Sequence, residues 1–208
     1  MKILHIETSS KNCSVAISDG EDLLCVCEEV SENYKQSESL HTFVEWALEG
    51  AEITLQDLDA VSLGMGPGSY TGLRIGASSA KGFCYGLKIP LIAVNSLETM
   101  IEPFLSQNFD YIIPLLDARR MEVYTAVFDG ISGNMITETE AKILDETSFQ
   151  EFKDKKVIFV GDGASKAKEI FQLPEAEFNA DVYPSAKYLI RKAVGKFNNK
   201  EFENVAYF

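Results

Sequence analysis

Long apolar runs are missing from this chain of 208 residues. No stretch approaches the roughly 18 apolar residues that cross a bilayer, so a membrane-spanning helix is not expected. Positive charge is also scarce: 19 basic against 32 acidic side chains leave a net charge of −13. Affinity for nucleic acid comes largely from neutralising phosphates, and such a surface repels them on average, which argues against tight RNA or DNA binding by the chain alone. The four cysteines, Cys13, Cys25, Cys27 and Cys84, include no CxxC pair. Cys25 and Cys27 alternate within one apolar run and so share a strand face, an arrangement poorly suited to a disulfide; reduced thiols and a cytoplasmic location are expected. Histidine is limited to His5 and His41. His5 sits in an apolar strand and reads as a hydrogen-bonded core residue, and His41 reads as an ordinary surface residue of a helix. There is no H-E-x-x-H, no carboxylate cluster at metal spacing and no nucleophile elbow, so neither a metal nor another cofactor is expected.

What is present is a chain able to bury a core: 46% of residues are hydrophobic and 11% aromatic, which excludes disorder and fits one large domain or two small ones. The opening segment Met1-Lys2-Ile3-Leu4-His5-Ile6-Glu7 reads as a buried strand, not a signal peptide. Alternating runs at 13–18 and 22–30 flank Asp19-Gly20, a hairpin signal, so three antiparallel strands open the chain. Leu40, Phe43, Val44, Ala47, Leu48 and Ala51 form one apolar stripe of a helix over 38–52, with Trp46 off that stripe. A strand at 60–63, a glycine-rich turn, a helix over 72–86, a strand at 90–94 and a short helix at 96–105 follow. The second half repeats the theme: strands at 111–116, 121–128 and 157–160, a helix near 164–171 and a last helix at 185–198. The shared order predicts two lobes meeting near residue 105, that is 1–105 and 106–208.

The segment Gly64-Met65-Gly66-Pro67-Gly68-Ser69-Tyr70-Thr71-Gly72 joins a buried strand to a helix, with Ser69 or Thr71 placed to cap the first turn. A helix N-terminus can hold an anion. The spacing of Gly66, Gly68 and Gly72 carries one residue too many for a dinucleotide fingerprint, no lysine follows as in a P-loop, and Pro67 removes a donor, so a structural turn is the stronger reading. Within the helix, Gly72, Gly76, Ala80 and Cys84 recur every fourth residue. Glycine costs about 1 kcal/mol inside a helix, and close approach of a neighbour is the usual return. Packing on the chain's own sheet and a subunit interface both fit that face.

Four segments together carry a resemblance. Ile6-Glu7-Thr8-Ser9-Ser10, Gly66-Pro67-Gly68-Ser69-Tyr70-Thr71-Gly72-Leu73-Arg74, Val94-Asn95-Ser96-Leu97-Glu98 and Asp117-Ala118-Arg119-Arg120-Met121-Glu122-Val123-Tyr124 are similar, in order and spacing, to the TsaB (YeaZ) family. The resemblance runs from Met1 to about Gly163 and fades over the last forty or so residues. It implies an α/β fold of the ASKHA class (actin-like ATPase, ribonuclease H-like) with two lobes. It also implies a part in forming N6-threonylcarbamoyladenosine at position 37 of ANN-decoding tRNAs, beside a TsaD-like transferase subunit and a TsaE-like ATPase, with tRNA met indirectly through the complex. Catalytic relatives carry a metal-binding His-x-x-x-His where this chain has Ser96 and Met100, and ATP-using members have a glycine where Ser9-Ser10 follow Glu7 and Thr8. A non-catalytic scaffold is therefore expected, not a stand-alone nucleotide-binding enzyme or metallopeptidase of this fold. Family members commonly carry a Pro-x-Tyr-Leu-type tail, where this sequence reads Val205-Ala206-Tyr207-Phe208.

The expected partner surface combines Phe43, Trp46 and Ala47 of the first helix with Gly72, Gly76 and Ala80 of the second, and the same surface could self-pair as a homodimer. Candidate polar or anion contacts are Thr8, Ser9, Ser69 and Arg119. Asp162, between two glycines, reads as a turn residue, and the basic run Lys187, Arg191, Lys192 and Lys196 as a solvated helix face more than a tRNA contact.

Overall fold

A computed structural model describes residues 1–31 and 36–208. The chain divides into two compact units, Met1–Thr99 with Pro184–Phe208, and Met100–Tyr183.

The first unit begins with the antiparallel meander predicted from the sequence: β1 (Lys2–Glu7), β2 (Asn12–Asp19) and β3 (Asp22–Val30). Gly20, at φ 57°, supplies the left-handed turn between β2 and β3. Helix α1 (Gln36–Gly50) follows, then β4 (Ala60–Gly64), helix α2 (Tyr70–Leu87) and β5 (Leu91–Val94). Strand β4 pairs in parallel with β1, and β5 with β4, giving the order β3-β2-β1-β4-β5.

Strand β1 is buried on both faces. Its side chains alternate by the two-residue period of a strand: Leu4 and Ile6 join Leu40, Phe43, Val44, Ala47 and Leu48 of α1 with Ala80 and Cys84 of α2. Ile3 faces the opposite way and packs with Ala60, Ile92 and Val94 against Ala186, Leu189, Ile190 and Ala193. Those last residues belong to a short 3-10 turn, Ala186–Leu189, and to a C-terminal helix, Ile190–Asn199. The expected lobe of 106–208 thus differs from the observed second unit, because the last 25 residues (Pro184–Phe208) return to the first sheet. The return is fixed by hydrogen bonds as well as burial: Asn12 Nδ2 donates to the Pro184 carbonyl at 3.0 Å, and the Ala186 N–H donates to Ser14 Oγ at 3.0 Å.

Helix α3 (Ser96–Ile101) is shorter than the sequence suggests; a 3-10 turn over Glu102–Phe104 replaces its end, with Pro103 barring a regular helix. The second unit holds β6 (Tyr111–Asp117), β7 (Glu122–Thr125), β8 (Phe128–Asp129), β9 (Glu140–Ile143), β10 (Val157–Val160), helix α4 (Ala164–Ile170) and β11 (Ala176–Asn179). Its sheet order is β11-β10-β6-β7-β9, and β8 also pairs with β6. The C-terminal helix Ile190–Asn199, numbered α5, completes the count in chain order. The core of this unit is aromatic: Phe159 lies 5.2 Å from Phe149, 5.4 Å from Phe171 and 5.0 Å from Phe178 between ring centroids. Among the described residues, no helix is long and apolar enough to cross a membrane.

Candidate functional site

Glu7 ends β1 with its carboxylate fully buried. Oε1 accepts from the Ser9 N–H at 2.8 Å, and Oε2 accepts from Ser96 Oγ at 2.8 Å. Ser96 Oγ in turn accepts from the Gly66 N–H at 3.1 Å. One side chain therefore ties together the turn after β1, the glycine-rich segment and the start of α3. Burial raises the Glu7 carboxyl above its ordinary range, and the hydrogen bonds from Ser9 and Ser96 oppose that rise without reversing it.

The glycine-rich segment closes directly over the 8–10 turn. The Ser69 N–H donates to the Ser9 carbonyl at 2.6 Å, and Thr8 Oγ1 donates to the Gly72 carbonyl at 2.8 Å. A methyl group at Gly68 would meet Ser9 Cβ at 2.8 Å, and one at Gly72 would run into the Thr8 carbonyl. Ser69 caps α2 as expected, accepting from the Gly72 N–H at 3.4 Å. Thr8 and Ser9, expected as contacts to an outside anion, are instead buried against the chain's own second segment. Glycine at 68 and 72 serves that internal fit. Ser96 and Met100 are both fully buried, and neither offers an imidazole. Among the described residues, no three His, Cys, Asp or Glu side chains gather as a metal site. His5 is the core residue the sequence predicts: its Nε2 lies 2.9 Å from Ser18 Oγ, and burial lowers its pKa to about 3, so it is neutral.

The second region is the helix pair. Gly72, Gly76, Ala80 and Cys84 are the buried residues of α2, so the small-residue face points inward, onto the 8–10 turn and β4. Phe43 and Ala47 of α1 are buried as well. Of the six residues expected at a partner surface, only Trp46 is exposed, at 55%. The reason is steric: Gly76 leaves room for Thr8 and Leu63, which occupy the groove that a partner would need. The outward face of α2 carries other residues. Arg74 stacks 3.9 Å from the Tyr70 ring centroid, Tyr85 is 84% exposed, and Gly82 and Gly86 have no atom within 4 Å of where a Cβ would stand. Sequence reading passed over these two glycines, although their four-residue spacing with Ser78 repeats the pattern used for the buried face. The two helices touch through His41, which lies 3.3 Å from Ser79 Oγ and 6.0 Å from the Phe83 ring centroid. Beside Trp46, an open groove of about 440 Å³ runs between β3 and α1, lined in part by Glu28, Glu29, Glu38 and Phe43.

The third region is the tip between β6 and β7, in the second unit. Arg119 and Arg120 adopt φ values of 71° and 50°. The left-handed conformation costs a non-glycine residue about 1–2 kcal/mol, so two in succession are unusual. The tip is braced from below: Lys166 of α4 pairs with Asp117 Oδ1 at 2.6 Å and donates to the carbonyls of Arg120 at 3.0 Å and Glu122 at 2.7 Å. Asp117 also accepts from the Arg119 N–H at 2.6 Å, and Asp162 accepts from the Asp117 N–H at 2.8 Å, the turn role expected of it. Nothing in the local sequence pointed to Lys166, which lies 46 residues beyond Arg120. The basic run near the C-terminus is held by the chain itself: Lys187 pairs with Glu28, Lys192 with Glu98, and Lys196 Nζ donates to the Ala93 carbonyl.

A sequence profile described as TsaD, tRNA N6-adenosine threonylcarbamoyltransferase, matches residues 26–204. The tRNA threonylcarbamoyladenosine biosynthesis protein TsaB of Bacillus subtilis is 32% identical over 178 residues, spanning 83% of this chain and 76% of that protein. A crystal structure of a Pseudomonas aeruginosa protein with similarity to the peptidase YeaZ superposes with a TM-score of 0.85 at 24% identity, covering 100% of this chain and 96% of that one. An activator of 2-hydroxyisocaproyl-CoA dehydratase from Clostridium difficile, with bound ADPNP, superposes with a TM-score of 0.55 at 11% identity, covering 98% and 99%. The two sheets and their helices have the actin-like ASKHA fold, and the chain belongs to the TsaB family.

Proposed function

We propose that this chain is a cytoplasmic, non-catalytic subunit of the machinery that forms threonylcarbamoyladenosine on tRNA, and that it pairs with and stabilises a TsaD-like transferase. A TsaE-like ATPase joins the larger complex, tRNA is met through the assembly, and the chain self-pairs when the transferase is absent. Family membership supports the pathway. The absence of a catalytic role is supported by Ser96 and Met100, standing where catalytic relatives carry histidines, and by the close packing of Gly68 and Gly72 on the 8–10 turn.

The observation that carries the pairing is the outward face of α2. Each glycine inside a helix costs about 1 kcal/mol relative to alanine. Gly72 and Gly76 have an internal reason, since a side chain there would strike Thr8, but Gly82 and Gly86 have none among the described residues. Small residues beside Tyr85 allow a partner helix to approach closely and dock that aromatic side chain against it. The proposed surface therefore replaces the buried Phe43, Ala47, Gly72, Gly76 and Ala80 with Gly82, Tyr85 and Gly86, while Trp46 borders the separate groove between β3 and α1.

Replacement of Gly82 tests this. Gly82→Ala fits the open space and should raise monomer stability by about 1 kcal/mol. Gly82→Trp should leave the monomer folded yet abolish pairing with the transferase, read by size-exclusion chromatography with light scattering. It should also remove the stimulation that the chain gives to a reconstituted modification reaction. A folded Gly82→Trp chain that still pairs would sink this surface. Micromolar ATP–Mg²⁺ binding by the chain alone, measured by isothermal titration, would favour the enzyme reading instead.

A further inference from the structure

The tip between β6 and β7 carries cost without internal return. Arg119 and Arg120 both hold left-handed backbone, a conformation that asparagine or glycine adopts with less strain. Strained backbone of this kind persists where the surrounding structure over-determines it, and it concentrates at functional positions. Lys166 supplies that over-determination by gripping two tip carbonyls and Asp117. Yet the side chains that occupy the strained positions face solvent: both arginines are exposed, and among the described residues no carboxylate pairs with either guanidinium.

Two of the acids nearest the tip are themselves committed, and among the described residues the third, Glu122, forms an ion pair with neither guanidinium. Asp117 accepts from Lys166 and from the Arg119 N–H, and Asp162 accepts from the Asp117 N–H. In a chain of net charge −13, this leaves a projecting point where two adjacent guanidiniums carry no ion pair among the described residues. A polyanion approaching this protein is repelled by most of its surface and attracted here. Guanidinium forks bind phosphate oxygens bidentately, and two of them on adjacent residues suit neighbouring groups of a phosphate chain.

We infer that the Arg119–Arg120 tip is an RNA-backbone contact that positions the tRNA substrate by its phosphates, without reading its sequence. This rests on the proposed role in tRNA modification and adds a direct contact to it. The tip contributes register and orientation, as phosphate contacts do. Lys166 is a positioning residue that holds the turn.

The test uses the full chain mixed with its TsaD-like transferase and an unmodified tRNA transcript, with binding followed by fluorescence anisotropy as salt is varied. Arg119→Ala with Arg120→Ala should weaken tRNA binding about tenfold at ~0.1 M salt and flatten the slope of log K against log salt by about 1.4–1.8, the loss of two phosphate contacts. Arg119→Asn with Arg120→Gly relieves the backbone strain while removing both charges. It should be at least as stable as the parent and show the same binding loss, which excludes misfolding as the cause. Paired lysine substitutions should restore most of the slope. Pairing with the transferase is scored in the same samples. Unchanged tRNA affinity and slope in either double variant would overturn the proposal. So would a variant that keeps tRNA affinity but loses pairing, since the tip would then grip protein carboxylates. Failure of the unsubstituted chain to pair sinks the scaffold reading alone, because tRNA binding by the mixture still judges the tip.

Discussion

Gly64→Ala offers the sharpest test of how the first unit is built. Gly64 ends β4 and pairs with Val94 of β5, while Leu63 beside it pairs with Ile6 of β1, so the backbone is held from both sides. A methyl group here would overlap the Glu7 carboxylate, with Cδ at 2.5 Å and Oε1 at 2.8 Å. Ordinary contact begins near 3.4 Å, and Oε2, the oxygen that accepts from Ser96, stands closer still than Cδ, so the carboxylate must retreat by more than about 1 Å, far enough to break its bonds to Ser9 and Ser96. Overpacking costs about 1–3 kcal/mol, and each buried donor left without its acceptor adds about 1–3 kcal/mol. We expect Gly64→Ala to destabilise by at least about 3 kcal/mol, the low end of that sum and a large part of the roughly 5–15 kcal/mol that holds a domain. Glu7→Ala removes the obstacle and opens space for the methyl, so the double variant should be less destabilised than the sum by about 2 kcal/mol. The single tryptophan, Trp46, lies in this unit, and its fluorescence in urea reports the transition. A Gly64→Ala chain within about 1 kcal/mol of the parent, or strict additivity in the double variant, would refute the reasoning.

Two further predictions concern the cores. Glu7 has a raised carboxyl pKa, so its stabilising contribution is complete below the ordinary value of 4.5 and is lost as pH rises from there through the folded value. The stability gap between Glu7→Gln and the parent should therefore shift toward glutamine as pH rises above 4.5; a gap constant with pH, or moving the other way, would disprove a charge-sensitive buried carboxyl. Phe159→Ala removes the ring around which Phe149, Phe171 and Phe178 gather, and should cost the second unit about 3–5 kcal/mol by circular dichroism in urea. A loss below about 1 kcal/mol would mean that this aromatic cluster is not the centre of the core.

Local pattern by itself determined much of this protein. The alternation of 13–18 and 22–30 about Asp19-Gly20, the apolar stripe of α1 and the Ser69 cap of α2 all depend on interactions within a few residues, and each stands where the sequence puts it. The same was true of His5, whose apolar neighbours already implied a buried, neutral ring. The short edge strands β9 and β11 were not legible, because four residues of mixed exposure carry no usable period. Tertiary structure alone decided which way α2 faces. Small residues recur on both its sides, and only the 8–10 turn, more than sixty residues away at Thr8 and Gly72, fills one groove and leaves Gly82 and Gly86 bare. It also decided that α5 covers the first sheet, through bonds spanning 172 residues. Charge followed the same rule: Arg119 and Arg120 were visible as a basic pair, but their strained backbone and the Lys166 brace arise only when α4 is brought beneath the tip. A sequence records what each segment prefers, and the choice among equal preferences falls to whichever distant segment arrives to bury one of them.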